Sequence, residues 1–283
     1  MTRAQLSQSE DNSSSGPQKR LTIALAQMNV TLGQPKVNCE RAASLIARAR
    51  KLGSDLVILP ELFSTGYDLE NVGSHASVLT GRARRANWFG RFGALAKANG
   101  VWLTGTLLEA QADGRYYNCM PLYNHEGSLV AAYRKIHLFR LMEEEQYLAP
   151  GQDTSLIDLP WGRAGLAICY DLRFPELFRR YAVFGAQLVI VPAQWPSARE
   201  DHWRTLHRAR AIENQCYVAG CNRVGTSKDT TFCGRSAVID PWGRTLVEGG
   251  NDEELLTVTV DLEDVDTARH QIPVFGDRRP ELY

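Results

Sequence analysis

The stretch that decides the fold spans residues 21–61 and reads LTIALAQMNVTLGQPKVNCERAASLIARARKLGSDLVILPE. Its first eight residues, 21–28, form an apolar run that predicts a buried strand. Residues 37–52 carry apolar side chains at helical spacing with Arg and Lys between them, and Gly53 ends this helix. Residues 55–60 (DLVILP) predict a second buried strand. A strand–helix–strand unit of this kind normally makes its two strands parallel neighbours in one sheet.

The same alternation continues along the rest of the chain. Many of the later strands are continuous apolar runs, which is typical of sheets buried on both faces. No linker and no internal repeat divides them, so we expect a single layered α/β domain over residues 21–283, with two mostly buried sheets. Helices are predicted at 81–99, 175–184, 198–215 and 262–270, and strands at 101–107, 117–123, 128–133, 165–169, 187–192, 217–222, 236–240, 245–248 and 255–261.

Composition excludes several broad classes of function. Lys plus Arg is 32 and Asp plus Glu is 32, so the net charge is zero, which argues against a nucleic acid or an anionic membrane as the main partner. No apolar run is long enough for a membrane span. Residues 1–20 are polar and lack a secretory signal, so they predict a disordered tail, while Glu10 and Asp11 disfavour a transit peptide.

The six cysteines are predicted to be reduced thiols. None forms a CxxC pair, and several lie inside apolar strand-like runs, where a free cysteine behaves as a small buried hydrophobe. Disulfides are rare in reducing compartments, so we expect a cytoplasmic protein. The cysteines are Cys39, Cys119, Cys169, Cys216, Cys221 and Cys233.

Three reactive residues share a position at or just beyond the carboxyl end of a predicted strand. Glu61 follows the strand at 55–60, Lys135 follows residues 129–134, and Cys169 follows residues 165–168. Open α/β sheets bind ligands beyond the carboxyl ends of their strands, so a carboxylate, an ammonium and a thiol placed there can meet in one pocket.

The chemistry of these three groups is complementary. A carboxylate can take the proton of a thiol and later deliver it to a leaving amine, and an ammonium can stabilise the oxyanion of a tetrahedral intermediate. The backbone N–H of Tyr170 is a candidate second oxyanion donor. Each residue also has a plainer interpretation: Glu61 as a solvated loop carboxylate, Lys135 as a surface charge, and Cys169 as an inert core thiol.

Three blocks of sequence around these residues resemble the signature blocks of the nitrilase superfamily, the carbon–nitrogen hydrolases. They occur in the order and at the separations usual in that family, and the similarity extends from about residue 21 to residue 283. The blocks are residues 59–61 (LPE), 133–139 (YRKIHLF) and 168–176 (ICYDLRFPE).

The resemblance implies a four-layer α-β-β-α sandwich that associates into a homodimer or a larger homo-oligomer through a helix face near the nucleophile. It implies no cofactor. It assigns Glu61 as general base and acid, Lys135 as oxyanion stabiliser and Cys169 as nucleophile. The family has a second glutamate ahead of a Pro-Gly, which favours Glu144 here, although the neighbouring glutamates at 143 and 145 leave the register open.

The substrate expected from the resemblance is a small amide. Residues 169–174, 202–215, 271–275 and 281–283 resemble the branch that contains omega-amidase and the deaminated-glutathione amidase. This implies hydrolysis of 2-oxoglutaramate or 2-oxosuccinamate to ammonia and the oxo-dicarboxylate. Residues 194–196 (QWP) depart from the animal omega-amidases, so deaminated glutathione, an aliphatic amide, an N-carbamoyl compound and a nitrile remain alternatives. Nitriles are disfavoured, because true nitrilases more often have Trp-Glu after the cysteine.

Two residues are candidates for binding such a substrate. Arg173, four residues beyond the nucleophile, can clamp a remote carboxylate with its paired donors, or it can instead pair with Glu176 or Asp171. Trp195 can form a wall of the pocket, or it can serve only in core packing.

Rival functional classes find little support in the sequence. His202 and His207 are five residues apart on one predicted helix and do not share a face, and no HExxH motif occurs, which disfavours a metal hydrolase. The motifs of serine hydrolases and nucleotide-binding loops do not occur either. A regulatory or scaffold protein on an inactive hydrolase fold is the non-enzymatic alternative, and the presence of all three reactive residues disfavours it.

Overall fold

The computed structural model describes residues 19–80 and 87–282. Most of the predicted tail and the first six residues of the helix predicted at 81–99 lie outside the described residues, so those expectations stay predictions. Arg20 is already the first residue of a strand, paired with Asp261, so order begins slightly earlier than residue 21.

The strands of the described residues are mostly short. In chain order they are β1 (Arg20–Gln27), β2 (Leu56–Ile58), β3 (Trp102–Thr104), β4 (Leu107–Ala110), β5 (Tyr116–Tyr123), β6 (Leu129–Arg134), β7 (Leu156–Leu159), β8 (Gly162–Leu166), β9 (Leu188–Ala193), β10 (Tyr217–Asn222), β11 (Val224–Ser227), β12 (Thr230–Cys233), β13 (Ala237–Ile239), β14 (Thr245–Glu248) and β15 (Glu254–Asp261).

These strands form two large sheets and one small hairpin. The first sheet has the order β15-β1-β2-β3-β5-β4, with β6 also paired to β5, and its β1, β2 and β3 are parallel. The second sheet has the order β14-β13-β10-β9-β8-β7, with β8, β9 and β10 parallel. Strands β11 and β12 form a separate two-stranded sheet, with isolated bridges from Val224 to Asn29 and from Phe232 to Pro196.

Seven α-helices accompany the sheets in the described part of the chain. They are α1 (Pro35–Lys51), α2 (Val72–His75), α3 (Trp88–Asn99), α4 (Glu144–Tyr147), α5 (Pro175–Val183), α6 (Glu200–Asn214) and α7 (Glu263–Gln271). None of the helices within residues 19–80 and 87–282 has the length and apolar content needed to cross a membrane.

The alternation of side chains along β1 shows how the layers stack. Leu21, Ile23 and Leu25 enter one apolar core, which also contains side chains of the second sheet and of α5 and α6. Ala24 and Ala26 point the other way, into a core shared with α1 and α3. Successive strand residues face opposite sides of a sheet, so each sheet has a helix layer outside it and the other sheet inside. This is the α-β-β-α sandwich expected from the resemblance.

The sequence predicts no element at β7, β11, β12, α2 or α4, and three of the predicted elements differ from those observed. The strand predicted at 101–107 is two strands, because β3 pairs with the end of β5 and β4 with its beginning. The strand predicted at 165–169 ends at Leu166, and a 3-10 turn, Cys169–Arg173, follows it. The helix predicted at 198–215 begins at Glu200, after a separate 3-10 turn, Ser197–Arg199.

Candidate active site

Glu61 lies three residues beyond the end of β2 and is completely buried. Its Oε1 accepts hydrogen bonds from Asn118 Nδ2 at 2.8 Å and Lys135 Nζ at 2.7 Å, and its Oε2 accepts from the backbone N–H of Gln194 at 2.9 Å. The side chain of Gln194 also donates to the Glu61 carbonyl at 2.6 Å. A buried carboxylate with this many donors is fixed in place, so the interpretation of Glu61 as a solvated loop residue is wrong.

Lys135 follows β6 directly and is also buried, so its interpretation as a surface charge is wrong. Its Nζ lies 2.7 Å from Glu61 Oε1 and 2.6 Å from Glu144 Oε1. Burial disfavours the ammonium, but the Glu144 and Glu61 carboxylates outweigh burial and raise the pKa of Lys135 above its ordinary value. Lys135 is therefore a permanent positive charge at the centre of the cluster.

Glu144 is the member of the three consecutive glutamates that contacts Lys135. Glu143 and Glu145 are exposed, whereas Glu144 is buried in α4. Glu144 Oε1 also accepts from Tyr67 OH at 2.5 Å, and its Oε2 accepts from the backbone N–H of Phe139 at 2.8 Å. Burial raises the pKa of Glu144, with Lys135 opposing this and Glu61 adding to it. Among the three glutamates, Glu144 is therefore the one whose position fits the expected role of holding Lys135.

Cys169 opens the 3-10 turn after β8 and is 5% exposed. Its φ is +45°, a left-handed conformation that is uncommon for residues other than glycine and that often occurs at functional sites. Burial raises the pKa of the Cys169 thiol, Glu61 raises it further, and Lys135 partly opposes both. The resting thiol is therefore neutral and needs a base, and the Glu61 carboxylate is the group placed to act as one.

The backbone N–H of Tyr170 lies beside Cys169, in the same 3-10 turn. Within residues 19–80 and 87–282 no backbone carbonyl accepts from it. The next N–H, that of Asp171, donates to the Ile168 carbonyl at 2.9 Å and so tightens the turn. The Tyr170 N–H therefore stays a candidate oxyanion donor on the chain segment that carries the thiol.

Asp171 holds that turn against the strand that carries Lys135. Its buried carboxylate accepts from Tyr133 OH at 2.7 Å, from Ile168 N at 2.8 Å, and from His137 through both backbone N at 3.1 Å and Nδ1 at 2.7 Å. Asp171 is therefore fully occupied and forms no ion pair with Arg173 within the described residues.

A very small cavity, with a volume of about 10 Å³, lies at the Cys169 side chain. Trp195 lines it and is also packed in the core, with its ring centroid 5.5 Å from that of Trp203, so the geometry is compatible with both interpretations of this residue. Arg173 lines the cavity with its guanidinium 4.7 Å above the Trp195 ring. The lining residues are Phe139, Cys169, Tyr170, Arg173, Gln194, Trp195, Pro196 and Arg199.

Sequence reasoning missed several residues that support the site. Tyr67, Asn118 and Gln194 hold the two glutamates, and Arg199 lines the cavity. Neutral polar residues have no signal of their own in a single sequence. The one available signal was position, since Asn118 lies within an otherwise apolar predicted strand, where an amide side chain needs a buried partner.

The histidines considered for a metal site are separated in the structure. His202 is exposed and lies beside Arg173, whereas His207 is buried with its ring against Trp203. The described residues contain no group of three or more His, Cys, Asp or Glu side chains arranged to hold a metal ion. All six cysteines lie in the described residues and are free thiols.

Comparison with known proteins places this site in a family. A family model described as carbon-nitrogen hydrolase matches residues 22–270. The chain is 40% identical to 2-oxoglutaramate amidase of Bacillus subtilis over 262 residues, covering 93% of this chain and 99% of the relative. It is 34% identical to an omega-amidase of Mus musculus over 270 residues, covering 92% and 96% of the two chains.

A solved amidase structure is also similar to this chain. It is a mutant of the amidase from Nesterenkonia sp. AN1, which carries covalent addition of the acetamide moiety of fluoroacetamide at the active site cysteine. It matches with a TM-score of 0.81 and 28% identity over 93% of this chain and 95% of that one. Since the family model spans most of the sequence and the relatives match over nearly their whole length, the chain belongs to the carbon-nitrogen hydrolase family.

Proposed function

We propose that the protein is an omega-amidase, which hydrolyses the terminal amide of a 2-oxo dicarboxylic acid monoamide and releases ammonia. The observation that carries the reaction is the buried Lys135 ammonium between the Glu61 and Glu144 carboxylates, beside a strained, buried thiol. The relatives named 2-oxoglutaramate amidase and omega-amidase support the substrate class.

Acylation begins with proton transfer. Glu61 takes the proton of the Cys169 thiol as Sγ attacks the amide carbon, and the carbonyl oxygen becomes an oxyanion. Lys135 and the Tyr170 N–H donate to this oxyanion. Glu61 then returns the proton to the amide nitrogen, the C–N bond breaks, and ammonia leaves a thioester on Cys169.

Deacylation reverses the roles of the same groups. Glu61 takes a proton from water as the water oxygen attacks the thioester carbon, and the same two donors stabilise the second oxyanion. Collapse breaks the C–S bond, and the proton on Glu61 passes to the departing Sγ. The products are the free acid and the restored thiol. Glu144, whose carboxylate fixes the Lys135 Nζ, keeps the ammonium aimed while Glu61 gains and loses its proton.

Arg173 is the proposed binding group for the remote carboxylate. Neither alternative partner binds it in residues 19–80 and 87–282: Asp171 accepts four hydrogen bonds from other groups, and no ion pair joins Arg173 to Glu176. A guanidinium offers paired donors that match a carboxylate.

Ammonia release across a panel of substrates tests the function. The panel is 2-oxoglutaramate, 2-oxosuccinamate, glutamine, deaminated glutathione, an aliphatic amide, an N-carbamoyl amino acid and a nitrile, with Cys169→Ala as the blank. We expect release from the two oxo-acid amides well above that from the others. Release from a different member would keep the mechanism and change the substrate. A wild type no faster than Cys169→Ala on every member would favour an inactive, regulatory protein.

We also infer that the protein forms a homodimer, as the family resemblance implies. The outer helix layer near the nucleophile carries exposed apolar side chains: Val183 at the end of α5, the following Phe184, and Ile212 on α6 are 41%, 54% and 50% exposed. Such side chains are typical of an interface. Light scattering after size-exclusion chromatography tests this, and a monomer at micromolar concentration would contradict it.

A cytoplasmic location is inferred from the cysteines. Six free thiols, five of them buried, suit a compartment that keeps thiols reduced. Fractionation of cells with an antibody to the protein tests the location.

A further inference from the structure

Two arginines line the nucleophile's cavity without a carboxylate partner. Arg173 lies at the end of the 3-10 turn that begins with Cys169, and Arg199 ends the turn Ser197–Arg199 that precedes α6. Neither forms an ion pair with any residue in 19–80 or 87–282, whereas nearby Arg210 and Arg235 pair with Glu213 and Glu200 respectively.

Trp195 joins the two arginines. Its indole ring lies 4.7 Å beneath the Arg173 guanidinium, and its Nε1 donates to the Arg199 carbonyl at 2.7 Å. The Arg199 guanidinium in turn lies 5.4 Å from the ring centroid of Phe139, which also lines the cavity. Arg173 is held further by a 3.2 Å contact between its Nη2 and His202 Nδ1. Aromatic faces position both cations without neutralising either.

Two acidic side chains near these arginines already bind other groups. Asp171 accepts from Tyr133, Ile168 and His137, and Glu200 pairs with Arg235 at 2.9 Å. The pKa of Arg173 is lowered, first by burial and then by the positive charge of Arg199, so the two guanidiniums lie close enough to repel. Two like charges at a partly desolvated cavity disfavour each other, and an anion bound between them removes that repulsion.

We propose that Arg199 is a second carboxylate-binding residue, which acts with Arg173 to select amides that carry a remote carboxylate over neutral amides of the same length. Arg173 alone supplies one fork of donors, and Arg199, which lines the same cavity, supplies a second. The proposal rests on the proposed amidase function and names the feature that sets its substrate class. Arg199 contacts the substrate but none of the reacting atoms, so it determines specificity and takes no part in proton transfer.

Variant kinetics on two substrates test the proposal. The substrates are 2-oxoglutaramate and pentanamide, a neutral amide with the same number of chain carbons. Arg199→Gln is compared with Arg244→Gln, which removes the same charge from an exposed turn between β13 and β14. We expect Arg199→Gln to lower kcat/KM for 2-oxoglutaramate by about 10- to 100-fold, mainly through KM, because a charge-assisted hydrogen bond is lost.

The neutral substrate separates specificity from damage to the site. For pentanamide we expect Arg199→Gln to remain within about threefold of the wild type, because the lost contact is absent from that complex. Arg199→Lys should recover only part of the preference, since Lys offers a point charge in place of a fork. An unchanged ratio of kcat/KM between the two substrates in Arg199→Gln would overturn the proposal, as would an equal loss in Arg244→Gln.

Binding without turnover distinguishes failure of this inference from failure of the proposed function. Titration calorimetry with 2-oxoglutarate is run on Cys169→Ala and on Cys169→Ala combined with Arg199→Gln. Weaker binding by about tenfold or more in the double variant supports Arg199 even if the wild type releases no ammonia from 2-oxoglutaramate. Equal affinities, or no binding of 2-oxoglutarate to either variant, would overturn the proposal.

Discussion

The three consecutive glutamates at the start of α4, of which Glu143 precedes the helix, provide an internal comparison for the role of the buried one. In Glu144→Gln, the carboxylate that accepts from Lys135 Nζ at 2.6 Å and from Tyr67 OH at 2.5 Å becomes an amide. Its other oxygen accepts from the backbone N–H of Phe139. Either orientation of the new amide therefore points an NH₂ group at a donor, so the substitution removes a charge and at least one hydrogen bond.

The size of the expected loss of stability depends on the ion pair that Lys135 retains in Glu144→Gln. Removing one partner of a buried ion pair usually costs about 3–5 kcal/mol because a charge is left unpaired. Here Lys135 still has Glu61 at 2.7 Å, so we expect the smaller loss of a charged hydrogen bond, about 1.5–3 kcal/mol in the free energy of unfolding. The same energy, lost from the positioning of the ammonium toward the oxyanion, corresponds to a decrease in kcat of about 10- to 150-fold.

The assay combines urea unfolding with ammonia release from 2-oxoglutaramate. Glu143→Gln and Glu145→Gln are the controls, since both side chains are exposed and should change the free energy of unfolding by no more than about 0.5 kcal/mol. Wild-type kcat in Glu144→Gln would refute the reasoning. So would a matching loss in either control, because the buried contact with Lys135 would then not be the cause.

Two further predictions concern buried groups outside the proton-transfer path. Asp171→Asn places an amide NH₂ against a hydrogen-bond donor of either His137 or Ile168. We expect this substitution to lower the free energy of unfolding by about 3 kcal/mol and to lower kcat. The control Glu176→Gln, at an exposed residue, should change neither the free energy of unfolding nor kcat measurably. Burial lowers the pKa of His207 from its ordinary 6.5 to about 4, so the unfolded chain takes up the proton first as the pH falls. Above pH 6.5 the burial of neutral His207 costs no stability. Between pH 6.5 and about pH 4 the free energy of unfolding falls by about 3 kcal/mol, because only the unfolded chain binds the proton. His207→Gln should remove that part of the slope in urea unfolding measured against pH, and an unchanged slope would contradict the assignment.

Much of the scaffold could be predicted from the sequence. Apolar runs and helical spacing predict most of the strands and helices, since these patterns reflect which faces are buried. Glycines indicate where several of these elements end. The polar hairpin of β11 and β12 was missed because Thr226 and Thr231, paired across it, give no apolar run. The family, the four-layer fold and the hydrolase class expected from the resemblance are confirmed by the comparisons.

The geometry of the site was less accessible from the sequence. The strand ends indicated where Glu61, Lys135 and Cys169 meet, but not that a second carboxylate lies 2.6 Å from the ammonium. Nor does a sequence reveal a left-handed φ at residues with side chains, as at Cys169 and at Leu62, next to Glu61. Such conformations are imposed by tertiary hydrogen bonds, in this case the Leu62 N–H to Thr106 Oγ1 at 2.7 Å.

The Asp171 carboxylate connects two of the signature blocks, residues 133–139 and 168–176, through hydrogen bonds. Tyr133 and His137 flank Lys135 at the end of a strand in the first sheet, while Ile168 precedes Cys169 at the end of a strand in the second. Both segments donate to the same buried carboxylate, so the ammonium and the thiol are fixed relative to each other by contacts that involve neither. In the proposed mechanism, Lys135 and Cys169 held in this way keep their geometry while charge moves between Cys169 and Glu61, because the restraining hydrogen bonds lie outside the proposed proton path.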